Sequence, residues 1–290
     1  MFIPEYEYYH ENKVHSASLF PYNTYLCSIP LDFKEVQKHW HNEMEIIYIK
    51  KGCGIITLDF DTYNVTAGDI VIVVPGQLHG IYQHDSDTME YENIIFSVNM
   101  LLSKHSDSVD SEFFTPLLSG GLKFRHYITG ELPYYNDLAA CLNKADMICS
   151  GFSKGYKLAI KGCLFDFFYI LYHNSDESGP VKDNRNLARI KEVLKYIDNN
   201  YASDITIEEI SAVCGFSSSH FMKFFKNTMG TSFIDYLNDY RLTIASRLLL
   251  SSESNIIDIA AGCGYNNLSY FNRIFKKKYG MTPSSYRKVN

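Results

Sequence analysis

The chain has 290 residues, of which 46% are hydrophobic and 21% charged, and its formal net charge is −6. That length suits two domains of ordinary size, and the composition excludes a disordered or low-complexity chain. No stretch approaches the roughly eighteen consecutive apolar residues of a membrane-spanning helix, and an acidic balance overall argues against nucleic-acid binding by the chain as a whole.

The first residues, MFIPEYEYYHENK, place acids where a secretory signal would have basic residues and an apolar core, so a cytoplasmic location is expected. Seven cysteines stand singly at 27, 53, 141, 149, 163, 214 and 263. With no CxxC pair and an odd count, they read as reduced thiols and not as a disulfide framework.

Between about residues 40 and 100 the segments EIIYI, GIITLDF, YNVTAG, DIVIVV and YENIIFSV are short and rich in β-branched and aromatic residues. They are separated by Gly, Asn or Asp, which predicts a small antiparallel barrel or sandwich within residues 1–130. The same region carries His39-Trp40-His41-Asn42-Glu43-Met44-Glu45, with Gly52 following, and later a PGQLH segment ending at His79. HxHxxxE followed by PGxxH resembles the pattern of the cupin barrel. It departs from the metalloenzyme form in having six residues, not five, between Gly68 and Pro75, and PGxxH in place of PxGxxH.

From about residue 131 the period becomes helical. LPYYNDLAACLNKADMICSG and YKLAIKGCLFDFFYILYHN repeat apolar residues every three or four positions, predicting two amphipathic helices within 131–175. Residues 176–186 lack any apolar period and contain Gly and Pro, as a linker does.

The rest, 187–290, is predicted helical and internally repeated. From Asn184 onward the chain has 14 basic and 9 acidic residues, net +5, whereas the preceding part has 13 and 24, net −11. An acidic half and a basic half imply different partners. Aligning Gly215-Phe216 with Gly264-Tyr265 superposes ITIEEISAVCGFSSSHFMKFFKNTMG on NIIDIAAGCGYNNLSYFNRIFKKKYG at an offset of 49 residues. Ile210 then meets Ile259 and Phe221 meets Tyr270, and one small insertion brings Phe225 and Phe275 into line.

In each repeat a short helix ends at a Gly that can take the positive φ of a sharp turn. An aromatic follows, and Ser217 or Asn266-Asn267 can cap a second helix. That helix has aromatics on one face and small, polar or basic residues on the other. The arrangement is that of a helix-turn-helix whose second helix reads DNA. A connecting helix, about 232–250, spans roughly 30 Å, close to the roughly 34 Å of one turn of duplex.

The tail IIDIAAGCGYNNLSYFNRIFKKKYGMTPSSYRKVN closely resembles the signature of the AraC/XylS regulator family, and the resemblance extends over about 187–288. It implies an α+β protein of two domains. A cupin-like effector-binding barrel (1–130) and a helical dimerisation segment (131–175) precede the linker. An AraC-type DNA-binding domain (187–290) with two helix-turn-helix units follows it. Carried over by position, the base-reading residues are Ser219, Met222 and Lys223 in the first unit and Leu268, Ser269, Asn272 and Arg273 in the second. Lys226, Lys276 and Lys277 would neutralise phosphate, and Ser217 joins the DNA-binding set at the helix start. TPSSYR, with Tyr286 and Arg287, would pack and cap the last unit.

In the barrel, His39, Trp40, His41, Glu45 and His79 form the candidate effector site. The preferred reading is a polar small molecule, plausibly a sugar, because sensing domains of this family usually bind organic effectors. A metal held by His39, His41, Glu45 and His79 is the alternative, and mutual satisfaction of the four groups is a third. The resemblance therefore implies a non-enzymatic regulator, more often an activator, that works as a homodimer on promoter DNA, with RNA polymerase as partner and no cofactor. The rivals are a cupin metalloenzyme or metal sensor fused to a DNA-binding domain, and an adaptor whose tail contacts only protein.

Overall fold

A computed structural model describes residues 20–289 other than 33, 104, 106, 120, 152 and 176–184. The described residues up to Ser175 form one compact unit and those from Arg185 a second. The first thirteen residues lie outside the described part. So does the expected linker, except Arg185 and Asn186, which open a helix.

The first unit is built on eight antiparallel strands: β1 (Tyr22–Ile29), β2 (Glu35–His39), β3 (Met44–Leu58), β4 (Asp61–Thr66), β5 (Ile70–Val73), β6 (His79–Gln83), β7 (Met89–Phe96) and β8 (Tyr127–Ile128). The segments EIIYI and GIITL, expected as two strands, are one. β3 stays continuous because Gly52, at φ 73°, bends it without ending it. A Cβ there would lie 1.8 Å from the Thr88 carbonyl oxygen, so only glycine fits the bend. The front half of β3 pairs with β5 and β7, its back half with β4 and β6, and β2 extends that second sheet from β6. Strands β1, β6 and β8 were not expected from the sequence.

Alternation along β3 divides the core in two. Ile47 and Ile49 point into the barrel with Val71, Val73 and Tyr91. Met44 and Ile46 point out, with Ile70, Ile72 and Phe96, against α2 (Tyr135–Gly151) and α3 (Tyr156–His173). A short helix, α1 (Thr115–Ser119), continues a π turn over Asp110–Phe114. The two long helices pack one stripe on the sheet, through Leu138, Leu142, Ile160, Leu164, Phe167 and Phe168. A second apolar stripe of α3, Leu158, Phe165, Tyr169 and Tyr172, is exposed.

The second unit is all helical: α4 (Arg185–Asn200), α5 (Ile207–Val213), α6 (Ser218–Met229), α7 (Phe233–Ser251), α8 (Ile256–Gly262), α9 (Leu268–Tyr279) and α10 (Pro283–Val289). No helix among the described residues is long and apolar enough to cross a membrane.

Candidate nucleic-acid interface and sensing site

Each helix of the repeat begins on a side-chain cap. Thr206 and Glu209 form a capping box on α5. Ser217 accepts from the His220 amide on α6, and Asn255 and Asn267 accept from Asp258 and Tyr270 on α8 and α9. Such caps satisfy amides that the helix leaves without partners. The turns are made by Gly215 and Gly264 at φ 68° and 80°, and α6 and α9 end at Gly230 and Gly280 at φ 77° and 73°.

These caps fix the register of the repeat. Thr206 to Asn255 and Gly215 to Gly264 are 49 residues apart, but Ser217 to Asn267 and Gly230 to Gly280 are 50. The extra residue therefore lies between Gly264 and Asn267, where the second turn is longer. This corrects the pairing of Phe221 with Tyr270. Phe221 and Phe271 are the equivalent core residues, both fully buried, while Tyr270 is 36% exposed. Phe225 and Phe275 match at the same offset. Tyr236 packs on Phe225 at 5.3 Å between ring centroids and Tyr286 on Phe275 at 5.5 Å, so the helix after each unit closes its core alike.

With the apolar faces inward, the opposite faces of α6 and α9 meet solvent. Ser217, Ser219, Met222, Lys223 and Lys226 are exposed in the first unit, and Leu268, Ser269, Arg273, Lys276 and Lys277 in the second. Asn272 is half-buried. At the offset of 50, Lys223 corresponds to Arg273, Lys226 to Lys276, Ser219 to Ser269 and Met222 to Asn272. The Arg273 guanidinium lies 5.3 Å from the centre of the Tyr270 ring, and Tyr270 is itself bonded to Asn238 on α7. Sequence reasoning did not find this stack, because an aromatic three residues before an arginine is common on any helix.

Other basic residues are taken up internally. Lys278 is 3.0 Å from Asp239 and donates to Thr243 on α7. Arg241 donates to the Tyr201 and Ser203 carbonyls, and its guanidinium sits 3.0 Å from where a Gly264 Cβ would be. Arg287 donates to the Leu249 and Ser254 carbonyls, capping the end of α7, and Tyr286 is buried. The TPSSYR segment thus has the packing role expected of it.

In the first unit, His39, His41, Glu45 and His79 converge, all less than 10% exposed. They offer one ligand atom each within 4.8 Å of one another. His41 lies outside a strand, since β2 ends at His39. It stands in the β2–β3 connection, where its carbonyl accepts from the Gly76 amide of the PGQLH turn. That turn is clamped by Asp59, which accepts from the Leu78 amide and the Gln77 side chain. His41 Nε2 is 2.7 Å and His79 Nε2 2.9 Å from Glu45 Oε2. The Nδ1 atoms of His39, His41 and His79 lie 2.9, 3.1 and 2.9 Å from the carbonyls of Gln37, Glu43 and Gln77. These carbonyl anchors are backbone groups and have no signature in the sequence. Trp40 is half-buried and supplies no ligand atom to the cluster.

Burial and the neighbouring His79 and His41 push the pKa of His39 well below its usual value. Glu45 is held well below the carboxylate range by His79 and His41 in spite of its burial. A second cluster, Cys53, His84 and Asp87, lies at the open end of a hairpin, where Asp87 accepts from both partners.

Comparison with known proteins gives two family matches. The helix-turn-helix domain model matches residues 210–289 and the AraC-like ligand binding domain model matches residues 32–144. The chain is 25% identical over 261 residues to the uncharacterized HTH-type transcriptional regulator YdeC of Bacillus subtilis, covering 87% of this chain and 86% of that one. It is 29% identical to the uncharacterized HTH-type transcriptional regulator YdiP of Escherichia coli, over 86% of this chain and 80% of that one. It is 25% identical to the HTH-type transcriptional activator RhaS of Mannheimia succiniciproducens, over 86% and 88%.

Proposed function

We propose, from the premise that this chain belongs to the AraC family of DNA-binding transcription regulators with a ligand-binding domain, that α6 and α9 enter two major grooves of one operator. The observation that supports this most is the shared polar face. At one offset of 50 residues, both helices bury two phenylalanines completely and expose a serine, a basic residue in mid-helix and a lysine one turn on. A long basic side chain in mid-helix suits a guanine edge, for which the arginine at 273 has bidentate geometry. Lys226, Lys276 and Lys277 lie nearer the helix ends and suit phosphate. Met222 and Leu268 are apolar and suit a thymine methyl.

The first unit binds the effector, for which the barrel site around His39, Trp40, His41, Glu45 and His79 is our candidate. A polar molecule such as a sugar is one ligand class that site suits. Dimerisation through the exposed stripe of α3 is part of the same reading, since a second copy would cover Leu158, Phe165, Tyr169 and Tyr172. Activation through RNA polymerase completes the reading.

The test is selection of duplex DNA from a randomised pool by the full-length chain, followed by titration of the selected site. Arg273→Ala is expected to weaken specific binding by about 1–3 kcal/mol and to relax selection at one base pair. Recovery of no preferred sequence, or an unchanged affinity and preference in the variant, contradicts the assignment.

A further inference from the structure

We propose that Tyr270 is a positioning residue for DNA reading, which holds the Arg273 guanidinium in place on the exposed face of α9 before a duplex arrives. This rests on the reading of Arg273 as a base-contacting residue given above, and it names what prepares that residue for the contact.

Residues three apart on a helix share a face, and the Arg273 guanidinium lies over the Tyr270 ring, 5.3 Å from its centre. The ring is itself held. Asn238 on α7 donates from its side chain to the Tyr270 hydroxyl at 3.2 Å, and its carbonyl accepts from the Tyr265 hydroxyl at 3.0 Å. One residue of α7 thus anchors both tyrosines at the start of α9, whose ring centroids are 6.3 Å apart. Tyr270 is 36% exposed, whereas the core of the unit is closed by the fully buried Phe271 and Phe275. An aromatic tied down at its hydroxyl and covered by a cation is a platform for that cation.

The way the guanidinium is held decides what it can still do. Attraction to a ring face acts on the charge and needs no N–H aimed at an acceptor. Tyr270 and Arg273 line one groove with Asp235 and Asp239 of α7, but both acids are engaged. Asp239 pairs with Lys278 at 3.0 Å, and Asp235 accepts from the Ser232 hydroxyl at 2.5 Å. Among the described residues no acceptor takes a hydrogen bond from Arg273. The stack therefore fixes the group and leaves its five N–H donors for a guanine edge. An ion pair would have fixed it and occupied them. Ordering beforehand also spares part of the rotamer freedom that an exposed arginine otherwise loses on binding.

The first unit has no such platform. At the offset of 50, Tyr270 corresponds to His220 and Arg273 to Lys223. His220 turns to Phe216 instead, with ring centroids 4.1 Å apart, and a lysine is a point charge on a flexible stem.

The experiment uses the full-length chain and the duplex it selects. Tyr270→Ala should lower affinity about 2- to 13-fold, the cost of ordering one long side chain on binding. It should also relax selection at the same base pair that Arg273→Ala relaxes. Added to Arg273→Ala it should change nothing further, since a residue that acts through another has no effect once that other is gone. In the DNA-free chain, 15N relaxation of the arginine Nε groups should show Arg273 ordered on the ps–ns timescale, and mobile in Tyr270→Leu. Tyr270→Leu keeps apolar bulk without the ring, and it replaces the alanine variant in every comparison should that variant fail to fold. Unchanged affinity and preference, an equal loss with and without Arg273, or an Arg273 side chain already mobile in the unaltered protein overturns the inference. If Arg273→Ala relaxes one base pair and the Tyr270 variants do not, this inference alone is lost. If Arg273→Ala itself leaves selection unchanged, the base-reading proposal fails and takes this one with it.

Discussion

Two glycines that occupy equivalent turns differ in what surrounds them, and the difference is measurable. Gly215 has open space where a Cβ would go, so Gly215→Ala pays only for the left-handed backbone, about 1–2 kcal/mol. At Gly264 the same Cβ would lie 2.8 Å from the Tyr201 carbonyl and 3.0 Å from the Arg241 guanidinium. Gly264→Ala should therefore cost more than its counterpart and also disturb the bonds Arg241 makes to Tyr201 and Ser203. Amide hydrogen exchange in the full-length chain would show this as faster exchange in α8 and α9 than Gly215→Ala produces in α5 and α6. Equal effects would mean the close approach does not matter. Glu92 has its pKa pushed up from 4.5 to about 7 by burial and by its bond with Asp146, even though Lys50 lies 2.8 Å away. Folded protein then holds more protons at this site than unfolded protein between these values, so the contribution of Glu92 to stability falls as pH rises from about 4.5 to 7. Glu92→Gln removes that dependence. Its thermal stability relative to the unaltered chain should rise between pH 5 and 8, and a gap that stays constant or shrinks would show that Lys50 dominates.

At the scale of elements, α6 and α9 divide their basic residues by position. Lys226, Lys276 and Lys277 are exposed, whereas Lys278, one residue on, is taken up by Asp239 and Thr243. Each of the first three changed to Ala should lower the steepness of the salt dependence of DNA binding by about 0.9, the value for one phosphate contact, with sequence preference unchanged. Lys278→Ala should leave that slope as it was and instead weaken the seat of α9 on α7. A reduced slope for Lys278→Ala, or unchanged slopes for the other three, would reverse the assignment. The second unit was the more legible part of the sequence because its signals are local. Caps, turn glycines and a 3.6-residue apolar period lie within a dozen residues of each other, and they placed α5 to α9 closely. The one misplaced pair, Phe221 with Tyr270, arose because an insertion cannot be located until the caps Ser217 and Asn267 fix where each helix starts. The barrel was less legible. β1 is mostly half-buried, with little alternation along it, so its residues lack a strong pattern of their own. The two halves of β3 read as two strands because Gly52 looks like a turn unless the Thr88 carbonyl beside it is known. The four converging residues were visible from HxHxxxE and PGxxH, but the carbonyls that orient the rings were not.

For the whole molecule, the split of charge matches the split of structure. The acidic residues are concentrated in the part that contains the barrel and the basic ones in the part that contains the two helix-turn-helix units. A positive half attracts duplex DNA at long range, and the phosphate contacts then determine most of the affinity. Regulation requires that the effector bind two arrangements of the protein unequally. The proposed DNA-binding mode uses α6 and α9 together, with α7, 19 residues and about 28 Å long, setting the distance between them. Hydroxyl-radical and methylation-interference footprinting of the full-length chain on a selected duplex tests that directly. Two protected major-groove segments per chain are expected, on one face of the duplex and about one helical turn apart, with Arg273→Ala clearing only one of them. A single protected segment that Arg273→Ala leaves in place would contradict it.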